Sequence, residues 1–179
     1  MKEKGTDGAT AGFKLPGDGW HVVEFQEGID FLPAKGGEGI YQNERGFKTY
    51  KFPAKVKDDQ DPDDGADVSQ LIGMEKGGGY LANILAAVGL WEAIEKKFPG
   101  DDVSVWDDPI MNGIKVKLPG MSCMMKTEID KKGYVQVRQT ASMKKYREIA
   151  AEEAAKGGGK KAAGKPAEKA AAKQEDAPW

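Results

Sequence analysis

The chain has 179 residues, and its 27 lysines and arginines against 29 aspartates and glutamates give a formal net charge of −2. This balance excludes a polycation, although nucleic-acid binding needs only a local basic surface that releases counterions. The single cysteine, Cys123, excludes an internal disulfide framework and favours a reducing compartment. Since the sequence contains neither a secretory h-region nor an apolar run of about 18 residues, we expect a cytoplasmic protein without a membrane partner.

The first third of the chain predicts strands separated by a long irregular segment. Residues 1–18 are rich in Gly, Thr and Lys and predict a flexible arm, and Trp20–Phe25 follows as the first strand signal. Residues 28–46 contain many glycines and predict a long loop or an irregular hairpin. Residues 47–57 alternate between apolar side chains on one face and lysines on the other, with Pro53 indicating an edge strand or a bulge.

The remainder of the body mixes helical and strand patterns. Apolar residues at spacings of three and four predict one amphipathic helix over Tyr80–Phe98, which Pro99 and Gly100 end. A second helical stretch, rich in Ala, Glu and Lys, is predicted over Met143–Lys156. Short strands are predicted at 68–74, 114–118, 121–129 and 134–140.

This order predicts an α+β domain that is mainly β with one or two helices. A small, partly open β-barrel of the OB type has such a plan, with its helix between strands three and four. An ordinary α+β sheet with a helix on one face fits the same order. We expect the domain over residues 19–147, after the arm at 1–18, and a helical-to-disordered segment rich in Ala, Lys and Gly over 148–179.

The last residues of the chain carry a distinctive motif. The sequence ends Lys173-Gln174-Glu175-Asp176-Ala177-Pro178-Trp179. A terminal Trp on a low-complexity segment has no folding rationale, but it suits a pocket on a partner, and the neighbouring carboxylates suit a basic rim. The alternative is an arbitrary end or a cloning remnant. If the motif is functional, the partner-binding residues are Glu175, Asp176, Pro178 and Trp179.

Acidic residues followed by Pro and a terminal aromatic resemble the C-terminal tips of bacterial and phage single-stranded-DNA-binding proteins. This chain differs in having two acids, Trp in place of Phe, and a Lys-rich linker. The body, with its helix around Tyr80–Leu90 and the segments Gly113–Lys117 and Lys132–Val137, resembles small phage replication and recombination proteins. The resemblance implies a phage-type single-stranded-DNA-binding protein in the host cytoplasm, whose tip recruits replication or recombination proteins.

Lysines and aromatic residues alternate along the predicted strands, as a single-strand binder requires. Such proteins combine a positive groove for phosphates with rings on which bases stack. The acids concentrate elsewhere, over 58–67 and 101–108. Ordinary solvation and edge protection remain the alternative for each lysine. The candidate nucleic-acid-binding residues are Lys48, Lys51, Lys55, Lys57, Lys115, Lys117, Lys126, Lys131, Lys132, Tyr134 and Arg138.

Nothing in the sequence indicates an enzyme, a metal site or a cofactor. His21 sits in a strand and is interpreted as a satisfied strand residue, and Cys123 among methionines as a small buried hydrophobe. No Cys/His cluster has zinc spacing and no phosphate-binding loop motif is present. Asp59, Asp61 and Asp63 begin like a calcium loop, but the required glycine and closing glutamate do not follow.

The predicted function is therefore single-stranded DNA binding with little sequence preference, in support of DNA replication and recombination, with homo-oligomerisation left open. A protein-binding adaptor or inhibitor of similar fold, without DNA affinity, is the alternative. A metal-dependent nuclease is the third reading.

Overall fold

The computed structural model describes residues 14–157, which fold into an α+β architecture with two antiparallel sheets and four helices. The α+β class is confirmed, but the expectation of a mainly β domain with one or two helices is wrong, because helices and strands contribute about equally. The strands are β1 (Gly19–Phe25), β2 (Asp30–Phe31), β3 (Thr49–Phe52), β4 (Ala54–Val56), β5 (Gln70–Gly73), β6 (Ser122–Ile129) and β7 (Val135–Ala141). The helices are α1 (Gly78–Ala87), α2 (Trp91–Lys97), α3 (Asp108–Lys117) and α4 (Met143–Gly157). No helix within residues 14–157 is long and apolar enough to cross a membrane.

The two sheets meet at Pro53, between β3 and β4. The four-stranded sheet has the order β4-β1-β6-β7, and the three-stranded sheet has the order β2-β3-β5. Because proline has no backbone N–H, it interrupts the ladder, and the chain passes from one sheet to the other at this residue. The predicted disturbance at Pro53 is confirmed, and the described strands do not close into a barrel.

The predicted alternation over β3 and β4 is confirmed. Tyr50, Phe52, Ala54 and Val56 are buried on the inner face. They pack in one continuous core with apolar side chains of the helices and of β1 and β6. Removal of this apolar surface from water stabilises the fold at about 25 cal/mol per Å². The exposed side chains that alternate with them are Lys51 and Lys55, so the period-two pattern fixes which face is buried.

The amphipathic stretch at residues 80–98 forms two helices rather than the single predicted helix. Gly89 has a φ of 85°, a left-handed conformation that ends α1 and allows α2 to begin two residues later. Val88 and Leu90 on either side of it are fully buried. The apolar spacing therefore continues through the break, because the residues on both sides of Gly89 are needed in the core. Glycine adopts the left-handed conformation at the break without strain.

Residues 114–118, predicted as a strand, form the last turn of α3 instead. The buried side chains are Ile110, Met111, Ile114 and Leu118, a helical spacing that starts upstream of the predicted strand. Val116, which strand alternation pairs with Ile114, is 73% exposed. Asp108 in the first turn and Lys115 and Lys117 in the last turn also suit the helix dipole.

The Gly-rich segment after β1 is an irregular hairpin, as one of the two predictions has it. Isolated bridges join Pro33 to Ile40 and Gln42 to Lys48, and a short β2 pairs with β3. Positive φ angles at Gly36, Gly37, Gly39 and Gly46 shape its turns.

A second, smaller core covers the other face of the four-stranded sheet. Val22, Met124 and Ala141 from three strands pack against Met143 and Tyr146 of α4. The rings of Trp20 and Tyr146 lie 5.3 Å apart at an interplanar angle of 53°. The first turns of α4 therefore close one side of this sheet.

Candidate nucleic-acid interface

An exposed apolar and cationic surface covers the outer side of the three-stranded sheet. It consists of Tyr41, Phe47, Lys51 and Leu71 and is called the aromatic face below. Lys51 and Leu71 are direct cross-strand partners, and Leu71 is 58% exposed. Phe47 and Tyr41 are each 43% exposed. Exposed apolar side chains that lie close together mark interaction sites more often than isolated ones do.

Strand alternation explains why these side chains point away from the core. Tyr50 and Ile72 form a cross-strand pair and are both buried, so their neighbours Lys51 and Leu71 face outward. Phe47 lies two residues before β3, and the same alternation, continued through Lys48 on the inner side, places Phe47 on the outer side.

The hairpin brings Tyr41 to the same region. The backbone N–H of Tyr41 donates to the carbonyl of Leu32 at 2.8 Å, and the N–H of Leu32 donates to that of Thr49 at 2.7 Å. Only the segment that contains Leu32 therefore separates Tyr41 from β3, although Tyr41 lies outside every named strand.

The inner side of the same sheet carries a second arrangement of rings and cations. The Lys48 ammonium lies 4.8 Å from the centroid of Phe31, and the Lys115 ammonium lies 5.5 Å from that of Tyr50. Tyr50 contacts Phe31 at 4.2 Å and stacks on Trp106 at 5.8 Å with an interplanar angle of 2°. Lys48, just before β3, and Lys115, on α3, thus meet around one cluster of rings, and both are predicted nucleic-acid-binding residues.

This inner cluster is more enclosed than the aromatic face. Tyr50 is 5% exposed, and burial, with the carboxylates of Asp108 and Asp30, raises its pKa above the usual value. A cation over a ring face contributes about 0.5–1 kcal/mol at exposed sites and about 2 kcal/mol where water is excluded. Phe31 and Trp106 were not predicted to take part, because the contacts join residues that are far apart in sequence.

The turn between β6 and β7 presents Lys131, Lys132 and Tyr134 to solvent. Asp130 organises this turn, since its Oδ1 accepts the N–H groups of Lys132 at 2.8 Å and Tyr134 at 2.9 Å. The hydrogen bond from Tyr134, followed by that from Lys132, holds the pKa of Asp130 below its usual range. Tyr134 is 65% exposed, so its ring is available to a ligand.

The other predicted cations lie on separate elements. Lys55 on β4 faces Glu24 across the ladder, Lys57 follows β4, and Lys117 ends α3. Lys126 on β6 stands in register between Trp20 and Gln139. Arg138 on β7 already pairs through Nε with Glu128 at 3.3 Å.

A buried polar cluster around His21 is a site that sequence reasoning did not assemble. His21 Nδ1 lies 2.7 Å from Asp61 Oδ2, and Nε2 lies 3.0 Å from the carbonyl oxygen of Gly17. The N–H of Gly17 donates to Asp63 Oδ2 at 2.8 Å. His21 is therefore a satisfied strand residue, as predicted, and it ties residues 14–18 to the acidic loop.

These ligand types lie close enough together for a metal ion, within 4.8 Å of one another. The contacts nevertheless describe an internal salt-bridge cluster. The 2.7 Å approach of His21 to Asp61 is a hydrogen-bond distance, and the Lys14 ammonium, which donates to the carbonyl of Pro62, stands 4.0 Å from Asp63 Oδ1. The His21 imidazole and the Lys14 ammonium already contact the two carboxylates, so we assign the cluster a structural role.

Cys123 is fully buried in the main core, as the sequence predicts. Burial raises the pKa of its thiol to about 12. A thiol in this state is a poor nucleophile at neutral pH, because the thiolate is the reactive form.

Comparison with known proteins assigns no family. No protein-family model matches this chain, and no curated protein matches it. The predicted partner-binding tip, Glu175, Asp176, Pro178 and Trp179, lies outside the described residues 14–157.

Proposed function

We propose that this protein binds single-stranded DNA with little sequence preference and supports DNA replication or recombination. The observation that carries the proposal is the aromatic face, where Tyr41 and Phe47 are exposed beside Lys51 and Leu71. Rings of this kind stack on any base, at about 1–3 kcal/mol per base, and a lysine beside them contacts phosphates. Neither contact reads base identity, which is why little sequence preference is expected.

The strand pairing supports an OB-like description of the body. Taken as one bent strand, β3 and β4 make the second of five main strands, followed by β5, β6 and β7. The first strand, β1, pairs with β4 of the second strand and with β6, the fourth. The β3 part of the second strand pairs with β5, the third, and β6 pairs with β7, the fifth. Helix α1 follows the third strand, and the seam between third and fifth stays open. A partly open five-stranded barrel of the OB type has this plan.

This description agrees with the position of the aromatic face. OB-folds bind oligonucleotides through the face of strands two and three and through the loops after strands one and four. In this chain the corresponding residues are Lys51 and Leu71 on the strands, Tyr41 and Phe47 in the first loop, and Tyr134 near the second.

The C-terminal tip extends the proposal. Its resemblance to the tips of single-stranded-DNA-binding proteins supports recruitment of replication or recombination proteins, in the host cytoplasm if a phage encodes the chain. A Trp beside carboxylates provides an aromatic anchor and a charged contact for such a partner.

The test is fluorescence anisotropy of labelled oligo-dT titrated with the full chain at low and moderate salt, with a duplex of equal length as control. We expect tighter binding to the single strand and a steep loss of affinity with salt. Absence of binding at low salt would overturn the proposal. The exposed apolar side chains would then favour the protein-binding adaptor, since such a patch also suits protein docking.

The aromatic face itself is tested by paired variants. Phe47→Ala and Lys51→Ala remove one ring and one cation from it. Val116→Ala on α3 and Lys96→Ala on α2 remove an exposed apolar side chain and an exposed cation elsewhere. If oligo-dT binding is weakened in the first pair and unchanged in the second, the single-stranded DNA binds on the aromatic face. Equal effects in both pairs would contradict it.

A further inference from the structure

A groove of about 670 Å³ runs along β7 between two helices. Helix α1 forms one wall with Tyr80, Asn83 and Ala86, and α4 forms the other with Lys145 and Ile149. Residues 137–141 of β7 line the groove between these walls, and Trp20 contributes a ring from β1. The groove belongs to the four-stranded sheet and is distinct from the aromatic face.

The strand in this groove has a free edge. Among the described residues, β7 pairs with β6 alone and is the last strand of its sheet. In an antiparallel pair the backbone groups of one strand point alternately toward its neighbour and away from it. An edge strand therefore presents N–H and C=O groups that accept another strand, and proteins normally protect such edges.

The walls of the groove are fixed in position by contacts elsewhere. Tyr80 donates its hydroxyl to Gln70 Oε1 on β5 at 2.7 Å, and burial raises the pKa of this tyrosine to about 12. Trp20 packs on Tyr146. Because other residues hold these rings in place, the walls of the groove are already formed without a ligand.

The two charged side chains that line the groove are both cations. Arg138 and Lys145 line it, with side chains 52% and 64% exposed. Their partners, Glu128 at 3.3 Å and Glu148 at 3.5 Å, are about equally exposed. Ion pairs at such positions contribute little, about 0–1 kcal/mol, so an incoming carboxylate exchanges for them at small cost.

We infer that this groove is a docking site for an extended, acidic peptide segment of a partner protein, which adds to β7 as a further strand. Backbone hydrogen bonds to the free edge supply affinity, and the walls select alternate side chains. Carboxylates on the segment pair with Arg138 and Lys145. None of the residues that line the groove belongs to the aromatic face or to the C-terminal tip, so the inference does not rest on the proposed function.

The experiment uses the full-length chain labelled with ¹⁵N and a synthetic seven-residue peptide of alternating valine and glutamate with blocked ends. Amide chemical shifts are followed during titration. We expect changes centred on Val135–Ala141 and the two groove walls. The same peptide with alternate amides N-methylated, which cannot pair as a strand, is expected to bind at least ~10-fold more weakly, as is a peptide with lysine in place of glutamate.

A groove-filling variant provides the matched test on the protein. Ala86→Trp places a large side chain in the groove from an exposed position of α1, and Ala151→Trp makes the same change on an exposed position of α4 outside it. We expect loss of peptide binding in Ala86→Trp alone. Binding that survives Ala86→Trp, or N-methylation, overturns the proposal, as does absence of binding to the full chain.

Two other occupants give distinct results. If the peptide binds only after residues 158–179 are removed, the chain's own C-terminal segment fills the groove and the partner proposal is wrong. If the chain self-associates without peptide and Ala86→Trp abolishes this, the occupant is a second copy, and the proposal is likewise wrong. Loss of oligo-dT binding in the earlier experiment affects none of these outcomes.

Discussion

The two sheets treat their outer faces differently. In the four-stranded sheet, Val22 and Met124 are covered by Met143 and Tyr146 of α4. In the three-stranded sheet, Leu71 and Phe47 remain exposed. Both sheets share one continuous main core on their inner sides, so the fold already supplies the burial that each needs. Ile129, at the end of β6 in the four-stranded sheet, is also 45% exposed, but there α4 covers the middle of the sheet, whereas on the three-stranded sheet no helix of the described residues covers Leu71. We attribute the exposure of Leu71 and Phe47 to function.

The largest expected effect is a loss of stability when the contact between α4 and the four-stranded sheet is removed. Tyr146→Ala removes a buried ring that packs on Trp20 and leaves a cavity under α4. We expect the free energy of unfolding to fall by about 3–5 kcal/mol, as for other large-to-small aromatic substitutions. Urea unfolding followed by circular dichroism measures it. Tyr134→Ala, at an exposed tyrosine, serves as control and should change stability by no more than about 0.5 kcal/mol.

The second prediction concerns the open side. Phe47→Ala should weaken oligo-dT binding by about 1–3 kcal/mol through loss of base stacking, while the unfolding free energy changes by less. Anisotropy titration and urea unfolding of the same variant separate the two quantities. A stability loss as large as that of Tyr146→Ala, with unchanged binding, would show that Phe47 serves the fold.

A third variant tests how firmly β1 and the preceding residues 14–18 are held to the acidic loop. His21→Ala removes the contacts to Asp61 and Gly17, which leaves Asp61 Oδ2 without its imidazole partner, while the Gly17 carbonyl keeps the hydroxyl of Thr127. We expect about 1–3 kcal/mol of destabilisation. Amide hydrogen exchange should accelerate first at residues 14–18. Uniform acceleration across the described chain would contradict a local tie.

The smallest effect sharpens the description of the open face. Lys51→Ala should reduce the steepness of the salt dependence of oligo-dT binding by about 0.7 in log–log slope, the value for one phosphate contact on a single strand. Titrations at a series of salt concentrations give this slope. Lys96→Ala on α2 should leave it unchanged, and an equal change there would assign the effect to overall charge.

Local patterns predicted much of the fold. The alternation over residues 47–57 and 134–140 gave the correct strands, because one buried face fixes a period of two over several residues. Residues 114–118 misled because five residues fit both periods, and the decisive Ile110 and Met111 lie before them. The break at Gly89 escaped because the apolar spacing continues through it.

The candidate site was predicted in part. Lys51 was recognised from its strand face, but Leu71 was not, because β5 is only four residues long and its register with β3 is a tertiary fact. The meeting of Lys48 and Lys115 around Tyr50 depends on α3 packing near β3, which no local pattern encodes. The groove along β7 likewise requires three elements that are separate in sequence.

The pairing of β1 with β6 has a consequence for how the chain folds as it is synthesised. Gly19 pairs with Thr127 and Glu24 with Ser122. About a hundred further residues must therefore be synthesised after β1 before its partner β6 leaves the ribosome. The sheet of β2, β3 and β5 needs only residues 30–73 and is complete much earlier. Non-local pairing of this kind slows folding and leaves unpaired strand edges exposed meanwhile. The residues of the aromatic face are therefore all synthesised before β6, the partner of β1.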